Sequence, residues 1–306
     1  MKERRLLISF SGGETSAMMT KLIHERWAER YDRIVTVFAN TGQENEETLR
    51  FVQQCDDAFG WGVVWLEALV DPEAGKGTKH RIVSFATADR AGGVFEDMIA
   101  KFGIPGPGFF HCTRELKERP ITSYVRSIGW EAGSYDTAIG IRADEIDRVN
   151  RDHRAKRFVY PMADWRLRKI DVNEFWASQP PLSRLELNPS PFRLNLKGYQ
   201  GNCWWCWKKS LRKHLTIMQE TPEAFDFPER MEAKYSMAGS NPRNEPKRFF
   251  RERRTVADLR HLAATTQFEP ASDDAREYQT DLFSPLALDL GGDCDEGCEV
   301  NFGEAA

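Results

Sequence analysis

Near the start of the chain, Ser11-Gly12-Gly13-Glu14-Thr15-Ser16 combines two glycines, which let a backbone approach a ligand closely, with three hydroxyl donors. The preceding Leu6 to Phe10 reads as a short buried strand. After it, Met18, Met19, Leu22, Ile23 and Trp27 recur at helical spacing, so the hexapeptide is a strand-to-helix turn. A helix start offers unpaired amides, and the ligand predicted there is an anion, a phosphate above all. The spacing is neither that of a Walker loop nor GxGxxG. Farther along, Cys203 and Cys206 form a CxxC followed by Lys208 and Lys209, which favour thiolate over thiol. Such a pair suits one iron-sulfur or zinc site or a redox disulfide. A second pair, Cys294 and Cys298, sits among carboxylates that raise thiol pKa and weaken a nucleophile. Six cysteines in 306 residues are too few for a disulfide scaffold.

The elements that must position these groups alternate in the first half of the chain. Strands are predicted at Leu6–Phe10, Ile34–Ala39, Val63–Leu66 and Tyr135–Ile141, with helices from Ser16 to Tyr31, around Leu49–Cys55, at Phe95–Phe102 and from His111 to about Ile128. Val70–Gly93 shows no period and reads as a loop or lid. The expected fold is α/β: an open, mostly parallel, Rossmann-like sheet with helices on both faces, whose ligand lies at the carboxyl ends of the strands. Composition shifts near Lys156 toward Trp and Pro, giving three regions. These are a nucleotide-binding domain at 1–155, a smaller helical cap carrying the CxxC at 156–268, and an acidic, disordered tail at 269–306. Helices are expected in the second region near Ser210–Gln219, Pro222–Tyr235 and Thr255–Ala264.

Taken together, the motifs resemble the phosphoadenosine phosphosulfate (PAPS) reductase family of the adenine nucleotide alpha-hydrolase, or PP-loop ATP pyrophosphatase, superfamily. The hexapeptide is similar to its SGGxxS pyrophosphate loop, and Asn40-Thr41-Gly42 with Glu47-Thr48 to its second-strand motif. His111-Cys112-Thr113 with Lys117 and Pro120 resembles its cysteine-lysine-proline segment, Gly140-Ile141-Arg142 with Glu145 its GxRxxE motif, and Tyr160-Pro161 with Asp164-Trp165 its proline-tryptophan element. The resemblance implies that Ser11, Gly12, Gly13, Glu14, Thr15, Ser16, Asn40, Thr41, Gly42, Gly140 and Arg142 hold an adenine nucleotide, ATP or PAPS, with Mg2+. It also implies that Cys112, Lys117 and Arg142 are catalytic. One departure stands out: relatives that cleave nucleotides have Lys-Asp where this chain has Glu14-Thr15, and Lys117 and Arg142 are expected to replace the missing cation. By the same resemblance Cys112 is a third thiol for the CxxC. Cys112, Cys203, Cys206 and His111 could then hold a 4Fe-4S cluster, or alternatively zinc.

Charge divides unevenly. From Glu269 onward eleven acidic residues and one basic give −10, leaving +6 on the rest of the chain. Basic residues cluster at Arg148–Arg157 and at Arg243–Arg254, the latter interleaved with Phe249 and Phe250, a pattern suited to nucleic acid. Mean hydropathy is −0.57 and no apolar run approaches the ~20 residues of a membrane span, so a cytoplasmic protein without membrane contact is expected. The expected function is ATP activation by adenylylation coupled to sulfur transfer onto an acceptor such as nucleic acid, served by a sulfur-donor protein. Two alternatives stand beside it. One is a PAPS or adenylyl-sulfate reductase releasing sulfite with a thioredoxin-like partner, and the other a non-catalytic nucleotide- or nucleic-acid-binding subunit. Oligomeric state is left open.

Overall fold

The computed structural model describes residues 3–106, 109–179, 192–201, 203–242 and 244–272. Six strands form one sheet: β1 (Arg5–Ser9), β2 (Arg33–Asn40), β3 (Val64–Leu69), β4 (Lys79–Val83), β5 (Asp136–Ala138) and β6 (Phe158–Val159), in the spatial order β4-β3-β2-β1-β5-β6. Every pairing is parallel except β3 with β4. Strand alternation sends consecutive β1 side chains to opposite faces. Leu6 and Ile8 pack in one core with Met18, Met19 and Leu22 of α1 (Glu14–Arg26) and Phe51 and Val52 of α2 (Glu46–Phe59). Leu7, with Val37 and Leu66, packs on the other face against Ile121, Val125 and Trp130. The β1 run is apolar on both faces because helices cover both.

The chain runs from β1 outward through β2 and β3, then returns to place β5 on the other side of β1. The strand order therefore reverses between β1 and β5, where an open α/β sheet leaves a crevice for ligands. Beyond β4, α3 (Gly93–Phe102) precedes a continuous helical stretch made of α4 (His111–Thr113), a π-helical turn (Arg114–Glu118) and α5 (Arg119–Ser127). Pro120 explains the wide turn: a proline within a helix lacks an N–H and presses on the carbonyl four residues earlier, here Leu116.

Two expectations change. Val70–Gly93 is not wholly irregular, because β4 lies in it as an antiparallel edge strand. Its sequence, Lys-His-Arg-Ile-Val, is charged and largely exposed, as suits a sheet edge, so it carries no apolar period. The sheet also continues past position 155, since β6 follows it. Packing carries this further. Met162 of α6 (Pro161–Asp164), Val172 and Trp176 of α7 (Lys169–Ala177), Phe192 and Leu194 belong to the β1–α1–α2 core. A second core joins Val94, Phe95, Met98 and Ile99 of α3 to Tyr199, Trp205 and Trp207. It also takes in α8 (Leu211–Glu220), α9 (Asp226–Tyr235) and α10 (Val256–Thr265). The cores thus part between Leu194 and Tyr199. Among the described residues no helix is long and apolar enough to cross a membrane.

Candidate functional site

The hexapeptide joins β1 to α1 as expected. Gly12 has φ +86°, and a Cβ there would lie 2.7 Å from the Thr48 Cγ2 atom and close to Phe38 and Val52, so both backbone shape and space demand glycine. Ser16 Oγ donates to the Gly13 carbonyl and lies 2.9 Å from Ser11 Oγ, tying the two ends of the turn together. Ser11, Gly12, Gly13 and Glu14 line a tight cleft with Thr48, Leu196, Lys197 and Gly198. Gly140, just beyond β5, sits against Ser16, where a methyl group would touch the Ser16 Cα at 3.4 Å. The helix end of the turn thus packs beside the end of β5, while the cleft itself opens between the turn, Thr48 of α2 and the segment from Leu194 to Gly201.

Glu14 and Thr15 do specific structural work at the departure from the Lys-Asp pattern. The Glu14 carboxylate accepts from the Leu194 amide (3.1 Å) and its carbonyl from the Trp176 indole (3.0 Å), bracing the turn against the segment at 192–201 and against α7. Thr15 Oγ1 accepts from Arg142 Nη1 (3.2 Å). Arg142, 1% exposed, also donates through Nε to Asp144 (3.0 Å) and lies 3.6 Å from Glu145. Burial works against the Asp144 charge, but the Arg142 guanidinium and its hydrogen bonds hold the carboxyl below its ordinary range. Arg142 therefore reaches the turn through Thr15. Lys117 does not line this cleft; the lysine that does is Lys197, ion-paired with Glu220 at 2.7 Å. Sequence reading missed Lys197, although Lys197-Gly198 with Gly201 is a basic, glycine-containing stretch of the kind that faces anions.

The second-strand motif makes a set of structural contacts. Asn40 is fully buried, donating to Glu67 Oε1 (2.7 Å) and the Asp89 carbonyl (2.9 Å) and accepting from the Gly42 amide. It clamps the end of β2 to β3. Thr41 donates through its amide and hydroxyl to Glu44, whose backbone bridges Cys203. Thr41 Oγ1 also lies 3.6 Å from Cys203 Sγ, and the Trp205 indole donates to Gln43 (2.7 Å). These contacts fasten the CxxC to the loop after β2.

The result is a second cleft, largely apolar, lined by Thr41, Phe95, Cys112, Lys117, Cys203 and Cys206 together with Trp205, Trp207 and Lys208. It brings together Cys112, Cys203 and Cys206, the three thiols that the resemblance grouped. Lys117 Nζ lies 3.9 Å from Glu44 Oε1, with both side chains buried. Burial, then the Glu44 carboxylate, then Cys206 push the Cys203 thiol well above its ordinary range, while Lys117 and Thr41 pull it down. His111 turns elsewhere: its ring lies against Phe102 and Phe109, and its Nδ1 is 3.2 Å from Arg114. Among the described residues no three His, Cys, Asp or Glu side chains converge so as to hold a metal ion. The donor set with His111 therefore does not fit a cluster or zinc centre as arranged, and the cleft is a three-thiol chamber.

No family model matches the chain. It is similar to a phage protein. The uncharacterized nin region protein ORF290 of Escherichia phage lambda is 28% identical to it over 303 residues, spanning 97% of this chain and 96% of that protein. The likeness therefore runs through both clefts.

The basic clusters divide. Arg148 pairs with Glu145 and Arg157 with Asp136, so part of the first is consumed locally. In the second, Phe249 and Phe250 are buried at 0% and 2%, packed with Trp205, His214 and Phe225. They are core rather than stacking platforms. The tail pair Cys294 and Cys298, and Arg243, lie outside the described residues.

Proposed function

We propose that this chain is a PAPS reductase-like adenine nucleotide enzyme of the PP-loop kind. In this reading it binds ATP at Ser11–Ser16 and adenylylates an acceptor oxygen so that sulfur can displace AMP. The observation that carries the reading is the turn after β1, beside the point where the strand order reverses, where a glycine that tolerates no Cβ, a helix start and buried Arg142 converge on the rim of a cleft. The hydroxyls of Ser11 and Ser16 and the turn amides hold the phosphates. Arg142, fixed by Asp144 and Glu145, keeps Thr15 in place, and Lys197 supplies positive charge where the usual loop lysine is missing. Mg2+ would accompany the nucleotide.

In the proposed reaction the acceptor oxygen attacks the α-phosphorus and pyrophosphate departs, a step that needs donors where charge develops. A cysteine of the three-thiol chamber, charged with sulfur by a donor protein, then attacks the activated centre. AMP leaves with the acceptor oxygen, and a second thiol closes a disulfide as the sulfur is released. The CxxC-bearing helical region acts as a cap that brings this chamber to the sheet, in a cytoplasmic protein whose acceptor is nucleic acid. Reduction of PAPS or adenylyl sulfate is the second reading, favoured by the same collected thiols.

The test is product analysis of ATP and PAPS reactions, with nucleotide binding followed by calorimetry. Pyrophosphate release from ATP supports activation, whereas sulfite from PAPS supports reduction. Ser16→Ala is expected to weaken ATP binding by about tenfold or more, with a stability loss of only ~1 kcal/mol from its hydroxyl contacts. Unaltered ATP affinity in Ser16→Ala would remove the site.

A further inference from the structure

Phe109 and Phe110 are 44% and 56% exposed, two adjacent aromatic rings at the surface of a chain that buries most of its others. Each is accompanied by a lysine. Lys247 Nζ lies 5.6 Å from the Phe109 ring centre, and Lys208 Nζ lies 5.7 Å from the rings of both Phe110 and Trp207. Arg251 donates to the Lys208 carbonyl and Arg248 to the Lys247 carbonyl, so the folded chain brings the second basic cluster to this pair of rings. Nearby carboxylates are paired: Glu115 with Arg114 and Thr78, Glu245 with Arg253, and Glu252 with Arg254. Among the described residues, Lys208, Lys247, Arg248 and Arg251 stand around the exposed aromatic faces in addition to the cations that pair these carboxylates.

The patch lies at the edge of the thiol chamber. Phe110 directly precedes α4, which carries Cys112, and its ring centre is 5.5 Å from that of Trp207. Trp207, Lys208 and Cys112 all line the chamber. The buried Trp207 Nε1 has no hydrogen-bond partner among the described residues, leaving a donor beside the cleft.

We infer that this surface binds single-stranded nucleic acid, stacking bases on Phe109 and Phe110 while Lys208, Lys247, Arg248 and Arg251 follow the phosphates. Exposed rings interleaved with cations fit unpaired bases, whose faces are free; in a duplex they are stacked on one another. The inference deepens the acceptor named above and in that respect rests on the proposed function, but binding itself does not need turnover.

The experiment measures fluorescence anisotropy of a fluorescein-labelled single strand of about 20 deoxythymidines, long enough to cover one such site, against full-length protein across a salt series. Phe109→Ala with Phe110→Ala is expected to weaken binding by about tenfold or more at fixed salt without changing the slope against log salt. Phe110→Trp should keep wild-type affinity. Lys208→Ala with Lys247→Ala should instead lower the slope by up to about 1.4, roughly 0.7 for each phosphate of a single strand no longer neutralised. A duplex of the same length should bind more weakly and be indifferent to the phenylalanine changes.

Unchanged single-strand affinity in the double phenylalanine variant, or equal competition by poly-glutamate, overturns the proposal. Parallel ATP calorimetry separates the two readings. Strand binding without ATP binding overturns the nucleotide site and keeps this surface, and ATP binding without strand binding does the reverse.

Discussion

The crevice at Ser11–Ser16 and the thiol chamber lie on the same molecule but are built in opposite ways. The first is built on one polar turn: contacts between Ser11, Gly13 and Ser16 fix it, and longer-range contacts from Arg142, Trp176 and Leu194 buttress it. The second is assembled from distant segments, with Thr41, Cys112 and Cys203 meeting only because the loop after β2, α4 and the CxxC converge. A site built on one turn tolerates little change at that turn. A site built from converging segments tolerates changes in any one of them but has its electrostatics set by all.

The sharpest way to break this comparison is Gly12→Ala. Its φ of +86° and the 2.7 Å approach to Thr48 combine backbone strain with overpacking, together about 2–5 kcal/mol. Cys112→Ser, in the partly exposed wall of the chamber, should shift stability by no more than about 1 kcal/mol. Urea unfolding of both variants checks the contrast, and equal losses would erase it.

Next in size is the pH dependence of the second core. Burial, opposed by the hydrogen bond to the Cys206 carbonyl and aided by Lys209, Arg251 and Arg254, depresses His214 to about 3. The unfolded histidine takes a proton near its ordinary 6.5, so the unfolded state binds more protons between those values. Stability is therefore complete above about pH 6.5 and falls as pH drops toward 3, by a few kcal/mol on the order of the shift. His214→Gln should remove most of the decline between pH 7.5 and 5 in urea midpoints. A smaller decline should remain, because burial also lowers His24, His80 and His111.

The chamber's electrostatics give a smaller, signed effect. Glu44→Gln should lower the Cys203 thiol pKa and speed its alkylation several-fold, whereas Lys117→Met should raise the pKa and slow it. Mass-spectrometric alkylation rates at pH 8 read both, and changes of the same sign would disprove the shared circuit. Smallest is Asn45→Ala, which removes the side-chain cap on the Glu47 amide at the start of α2, for about 1 kcal/mol. Because Thr48 of α2 touches the crevice but Asn45 does not line it, ATP affinity should stay within about twofold, a ratio worth under ~0.5 kcal/mol.

The crevice at Ser11–Ser16 was the more legible of the two. Apolar β1, two glycines and the periodic face of α1 all lie within one short stretch, and local spacing alone specifies strand, turn and helix. Edge strand β4 and two-residue β6 left no comparable trace, because an exposed edge needs no apolar alternation and two residues are too few to show one. The apolar motif Phe249-Phe250 was misleading beside its arginines, since interleaving along the chain does not say which side chains turn inward.

What the sequence determined by itself is the alternation of β1, α1, β2, α2 and β3, the glycine turn and the presence of three thiols with a lysine nearby. Those properties depend on neighbours within a turn or two of the chain. Only the tertiary structure decided that Lys117 serves Glu44 and the thiols while Lys197 serves the crevice, that His111 leaves the cysteines, and that Glu14 braces Leu194. Each of these pairings joins positions far apart in the chain or turns on which way a side chain points. Packing of the two cores fixes them, and no periodicity records it.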